Sequence, residues 1–96
     1  MSALEAIRAR EAEIRALAAK HGAGNVRVFG SVVRGEASQG SDVDFLIDIV
    51  GPTSPWFPGG LLNDLEGLLG RRVDVVVARS LNPLLRESVL NQAVPL

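Results

Sequence analysis

The run "VDFLIDIV", Val43 to Val50, is apolar enough to be a strand in a sheet, yet it carries aspartates at 44 and 48, with another just ahead at 42. Side chains alternate along a strand, so Val43, Phe45 and Ile47 share one face and Asp44, Leu46 and Asp48 the other. One face is oily and one acidic. A second run, "RRVDVVVA", Arg71 to Ala78, repeats the pattern with Asp74 inside it. Carboxylates in two strands of a chain this short call for a joint explanation, because a strand buried in a sheet ordinarily takes Val or Ile there.

The remaining elements follow from periodicity and breakers. Leu4, Ile7, Ile14, Leu17 and Ala18 recur at helical spacing and predict one helix from Ala3 to Lys20, closed by His21-Gly22. "VRVF", Val26 to Phe29, is a short strand stopped by Gly30. Ser31 suits the N-cap of a brief helix over Val32 to Ala37, which "SQGS" ends. "GPTSPWFPGG", Gly51 to Gly60, holds three prolines and three glycines and predicts a mobile loop, a candidate rim or lid. Leucines 61, 62, 65, 68 and 69 mark a helix ended by Gly70, and Asn82-Pro83 open a last helix through about Gln92.

Ninety-six residues bury only about 60 to 68% of their unfolded surface, which predicts a single domain over 1–96 and one site. The formal net charge of −1 gives no basic stripe for duplex nucleic acid. With no cysteine, disulfides and thiolate metal sites are excluded. No stretch reaches the ~20 apolar residues of a membrane span, and the first residues lack a signal-peptide core, so the expected location is cytoplasmic. Hydrophobic residues make up 47% of the chain, which suggests apolar surface reserved for a partner.

Asp42 and Asp44, two apart, converge on one space about 6.6 to 6.8 Å along the strand. Two ionised carboxylates repel there, and a divalent cation relieves them. Asp74 adds a third oxygen ligand if its strand lies beside that of Asp44. Carboxylates without histidine or cysteine suit a hard cation, Mg²⁺ or Mn²⁺, whose open positions take phosphate oxygens. The Gly30-Ser31 turn fits such a ligand, since glycine allows close backbone approach and a serine hydroxyl can hold a phosphate.

Gly30-Ser31, ten intervening residues, then Asp42-Val43-Asp44 matches the pattern G-S-x10-D-x-D. With Arg34-Gly35, Ser41, Asp74 and the closing "LNPLLRESVLNQAVPL", the chain resembles the minimal nucleotidyltransferase (MntA-like) branch of the DNA polymerase β-type superfamily. The resemblance implies an α/β (α+β) fold with a small mixed sheet flanked by helices. It implies two Mg²⁺ ions held by Asp42, Asp44 and Asp74, and a nucleotide held by Gly30, Ser31, Arg34 and Ser41. The reaction it implies moves a nucleoside monophosphate, AMP from ATP foremost, onto a hydroxyl. Small members of this branch act as antitoxins beside a HEPN-domain (HepT-like) toxin, and some attach AMP to a toxin tyrosine. The alternatives are a non-catalytic antitoxin that works by binding, and an aminoglycoside-like enzyme acting on a small molecule.

Several residues have plainer readings. Asp48 reads as a cap or solvated edge residue, and His21 as a helix-end cation. Arg34 either binds phosphate or ties the short helix to carboxylates, and Ser41 either caps the turn before Asp42 or touches ligand. Trp56-Phe57 reads first as a hydrophobic plug over the core.

Overall fold

The computed structural model describes residues 2–36 and 41–96. Its elements run α1 (Ala3–Arg8), α2 (Glu11–Lys20), β1 (Ala23–Phe29), α3 (Ser31–Arg34), β2 (Val43–Ile49), α4 (Gly59–Leu69), β3 (Val73–Val77), a 3-10 turn (Ala78–Ser80), α5 (Pro83–Gln92) and β4 (Val94–Pro95). The sheet has the order β3-β2-β1-β4. Only β2 and β3 are parallel, and β1 runs antiparallel to both β2 and β4. The expected mixed sheet flanked by helices is what forms.

The apolar face of the sheet makes the core. Val43, Phe45 and Ile47 from β2, Val26 and Val28 from β1, and Val73 and Val75 from β3 meet Ile14, Ala18, Leu61 and Leu65 from α2 and α4. Burying these side chains drives the packing, at about 1.5 to 3 kcal/mol for each large one. It also fixes the register of β2, because slipping a strand by one residue would turn its aspartates into the core.

Five expectations change. The first helix is two, broken at Ala9-Arg10: Arg10 leaves the helical region (φ −109°, ψ 16°), and its guanidinium clamps Glu13 with two bonds of 2.7 and 2.8 Å. Strand β1 begins at Ala23 because Ala23 and Gly24 pair with Ile49 and Asp48 ahead of an irregularity in register between Gly24 and Arg27. Asn25 adopts a positive φ of 48° within it, a region asparagine tolerates. Strand β4, two residues against β1, was not expected. Leu46, on the face read as acidic, is fully buried. The brief helix stops at Arg34, short of the expected Ala37, because Gly35 takes a left-handed conformation (φ 74°) that ends it; residues 37–40 lie outside the described residues.

The proline-glycine loop follows the far end of β2. Val50 and Gly51 both donate backbone N–H groups to the Gly22 carbonyl there. His21 fastens this end: one ring nitrogen is 2.7 Å from the Ser54 hydroxyl and the other 2.7 Å from the Asp64 carboxylate. His21 is thus a buried bridge between loop and α4, more than a helix-end cation. Phe57 packs on the core as a plug, whereas Trp56 is exposed.

Candidate active site

The parallel pairing of β2 with β3 sets Asp44 directly beside Asp74. Adjacent strands lie about 4.8 Å apart, so two carboxylates at matching positions lie side by side at the starting end of β2 and β3. The antiparallel pairing of β1 with β2 sets Phe29 beside Asp44, which brings the following Gly30 against the same carboxylate. A Cβ at Gly30 would overlap the Asp44 carboxylate. Gly30 also has φ 81° and ψ −152°, which side-chain-bearing residues avoid. Glycine is therefore required twice over, for backbone and for space.

Electrostatics mark Asp44 as the centre of the group. Its carboxyl is pushed above its ordinary value, first by burial, then by the charges of Asp74 and Asp42, with Arg34 partly offsetting them. Asp42 stands one step earlier, more exposed, and bonds Arg72 Nε at 3.2 Å. Arg71 donates to the Ser41 carbonyl at 3.0 Å, and the Val43 N–H donates to the Arg72 carbonyl, so the entry to β2 is stitched to the entry to β3. Among the described residues, no three carboxylate or histidine side chains already close on a point as a finished metal site. Like charges would hold them apart without a cation, and all three donors are the hard oxygens that Mg²⁺ or Mn²⁺ takes. The donor set fits a divalent ion.

Gly30, not Ser31, occupies the cap position of α3, and Ser31 is its first helical residue, which removes Ser31 from the N-cap role expected of it. Arg34 faces carboxylates, as the second of its two readings expects: it lowers the Asp44 carboxyl through space, and its Nε donates to Glu36 at 3.1 Å. Asp48 lies away from this group. It accepts from Arg27 Nη2 at 2.9 Å and from Asn25 Nδ2 at 2.8 Å, a structural role consistent with leaving it out of the site. The loop with Trp56 sits at the opposite end of β2, so it is no rim over these carboxylates. Sequence reasoning missed Arg71, Arg72 and Gln92, whose amide oxygen accepts from the Gly30 N–H at 3.0 Å. The arginine pair immediately before a strand was a signal for the first two; Gln92 offered none.

The sheet thus brings the Gly-Ser turn to the same end as Asp44 and Asp74, with Asp42 just ahead of β2, and comparison with known proteins shows the family. The profile of the nucleotidyltransferase domain matches residues 12–96. Over 75 residues the chain is 43% identical to protein adenylyltransferase MntA of Thermococcus cleftensis, covering 78% of this chain and 76% of that one. A solved chain described, by inference, as a minimal nucleotidyltransferase is 50% identical, with a TM-score of 0.84 over 100% of this chain and 97% of the other. A mutant of the toxin–antitoxin pair MntA–HpeT is 26% identical, with a TM-score of 0.71 over 90% of this chain and 70% of that one. The chain belongs to the nucleotidyltransferase family, in its minimal, MntA-like branch. It is a nucleotidyltransferase, and enzymes of this family work with divalent metal ions.

Proposed function

We propose that the chain transfers AMP from ATP to a hydroxyl of a partner protein, as the antitoxin of a toxin–antitoxin pair whose toxin is a small helical HEPN-type protein. The observation that carries this reading is the in-register pair Asp44 and Asp74 with Gly30 against Asp44. Asp42, Asp44 and Asp74 would hold Mg²⁺, or Mn²⁺ in its place, and two ions are the expected number. Bound there, the metal supplies charge offset to the triphosphate and lowers the pKa of the attacking hydroxyl. Gly30 and Ser31 would hold phosphate oxygens by close backbone approach and a hydroxyl, and Arg34 and Ser41 would add contacts to the same nucleotide. Asp74, the more exposed of the paired carboxylates, is placed to accept the hydroxyl proton. The acceptor oxygen forms a bond to the α-phosphorus as the bond to pyrophosphate breaks, so the acceptor gains AMP and loses its proton. Little beyond positioning and charge compensation is needed.

A protein acceptor suits the surface. Helix α5 buries none of its side chains, and Leu84 is 90% exposed, while its last residue touches the Gly30 turn. Apolar side chains on a helix that ends at the site give a partner something to hold. A tyrosine is the natural acceptor, since a phenol of pKa near 10 ionises far more readily than a serine hydroxyl. The relatives point the same way, one being named a protein adenylyltransferase and another belonging to a toxin–antitoxin pair. The test is co-expression with the protein encoded by the neighbouring gene, followed by Mg²⁺ and ATP and intact-mass spectrometry. The partner should gain AMP increments with the wild-type chain and none with Asp42→Ala. A stable complex that gains no mass with any nucleotide assigns neutralisation by binding alone.

A further inference from the structure

The closing segment of the chain reaches back into the Gly-Ser turn through one side chain. Helix α5 is capped by Asn82, whose side chain accepts from the Leu84 N–H, and ends at Gln92. Immediately after it, Val94 and Pro95 pair with Val28 and Arg27, and the Leu96 N–H donates to the Val26 carbonyl. These bonds hold the end of α5 beside the last residues of β1. The Gln92 amide oxygen then takes two donors at once: the Gly30 N–H at 3.0 Å and Arg34 Nη1 at 3.3 Å. Both donors belong to the segment that grips the nucleotide in the reading above.

We infer that Gln92 is a positioning residue for the nucleotide grip, its single oxygen setting the orientation of the Gly30 peptide and of the Arg34 guanidinium. Gly30 depends on such a partner because a glycine has no side chain to limit its backbone, so its φ of 81° and ψ of −152° are held only by what its peptide bonds to. Arg34 depends on it because a half-exposed arginine otherwise samples many rotamers, which must be frozen when an anion arrives. With Nε on Glu36 and Nη1 on Gln92, the guanidinium is oriented before ligand binds. Preorganisation of this kind lowers the ordering cost of association. A neutral amide suits the position, since a carboxylate there would pair Arg34 and repel a triphosphate.

This inference rests on the nucleotide site proposed above, and the experiment separates the two. The whole chain is titrated with AMP-PNP and Mg²⁺ by calorimetry, as wild type, Gln92→Met and Gln92→Glu, and each ligand-free melting temperature is recorded. Methionine keeps the length and the helix but lacks the oxygen. Gln92→Met should bind AMP-PNP roughly tenfold more weakly, within the range set by the two hydrogen bonds its oxygen accepts, with a melting temperature close to wild type. Gln92→Glu keeps the oxygen but adds charge, so it should also bind more weakly, and its deficit alone should shrink as salt is raised. A Gln92→Met chain that binds AMP-PNP as tightly as wild type overturns the inference while leaving the site in place. A wild-type chain that binds no AMP-PNP overturns both.

Discussion

Asp44 and Asp48 stand on the same face of the same strand, four residues apart, and their surroundings are opposite. Asp48 accepts from Arg27 and Asn25 of the neighbouring strand, and its carboxyl is held below the ordinary value, first by the Asn25 bond and then also by the Arg27 charge. Asp44 meets burial and two further carboxylates, and its carboxyl is raised. The first is a carboxylate that folding has supplied with donors. The second is one that folding has placed among its own kind, at a cost that only a cation or cationic ligand removes. The same contrast holds between the two ends of the sheet. At the far end Asp64 is bonded by His21 and Lys20 and its carboxyl is lowered, chiefly by His21. Carboxylates that folding pairs with cations and amides hold the molecule together, and the repelling pair Asp44 and Asp74 is where the proposed chemistry falls.

The largest test of this contrast is Asp44→Asn. The substitution nearly keeps the shape and removes the charge, so AMP transfer to the partner should fall to background, measured by intact mass. Stability should move the other way. A raised folded-state pKa means the native chain binds a proton more readily than the unfolded chain, so ionising Asp44 costs stability as pH rises through that range. Asp44→Asn should therefore melt higher than wild type at neutral pH without metal, and the gain should vanish below the ordinary carboxylate range. A variant that melts lower at neutral pH would show Asp44 to be a structural carboxylate like Asp48.

Next in size is Gly30→Ala. Its methyl meets the Asp44 carboxylate, and its backbone sits where only glycine is comfortable, so the chain should lose about 1 to 3 kcal/mol in denaturant unfolding. Transfer should fall further than that loss explains, since the same methyl stands at the turn proposed to hold phosphate. Gly35→Ala is the control: it also has a positive φ, 74°, but a Cβ there meets nothing. It should lose about 1 to 2 kcal/mol and keep measurable transfer.

Magnesium sharpens the contrast more gently. Mg²⁺ with AMP-PNP should stabilise wild type through mass action on the native state, by about 2.7 kcal/mol at a hundredfold excess over Kd, read as a rise in melting temperature. Asp44→Asn should lose that rise, and Asp48→Asn should keep it. An equal rise in both variants would place the ion elsewhere.

The site was legible in the sequence to the extent that its residues break local rules. Aspartates in apolar strands and a glycine stopping a strand are visible without coordinates, because each is a poor choice for its element unless something else needs it. The register that sets Asp44 beside Asp74 was not visible. It depends on two strands being adjacent and parallel, which no local pattern encodes. The break at Arg10 was hidden because apolar spacing runs on across it from Ile7 to Ile14. Leu46 was misread because alternation assigns a strand face without saying what covers it. Gln92 and β4 lie more than 60 residues along the chain from the turn and strand they touch, and a two-residue strand containing proline has no signature of its own.

The smallest expected effect closes the comparison from the other side. Asp48→Asn removes a charge from a carboxylate that Arg27 and Asn25 already satisfy. Asparagine keeps one acceptor oxygen but cannot answer the Arg27 charge, and its amide faces the Asn25 donor. Because the Asp48 side chain is 41% exposed, solvent screens much of the interaction, and the loss should be about 0.5 kcal/mol. The sign follows from linkage: with a lowered folded-state pKa, the unfolded chain binds the proton more readily, so the stabilisation is present above the ordinary carboxylate value and fades as pH falls through the lowered one. Wild type and Asp48→Asn should thus differ at pH 7 and converge in acid, while wild type and Asp44→Asn converge in acid from the opposite side. Transfer of AMP should be unchanged in Asp48→Asn, because the Arg27 and Asn25 bonds it disturbs lie away from the Asp44 and Asp74 pair. Measured by urea unfolding across pH, two aspartates of one strand face would then give curves of opposite sign, one for a residue that serves the fold and one for a residue the fold must carry.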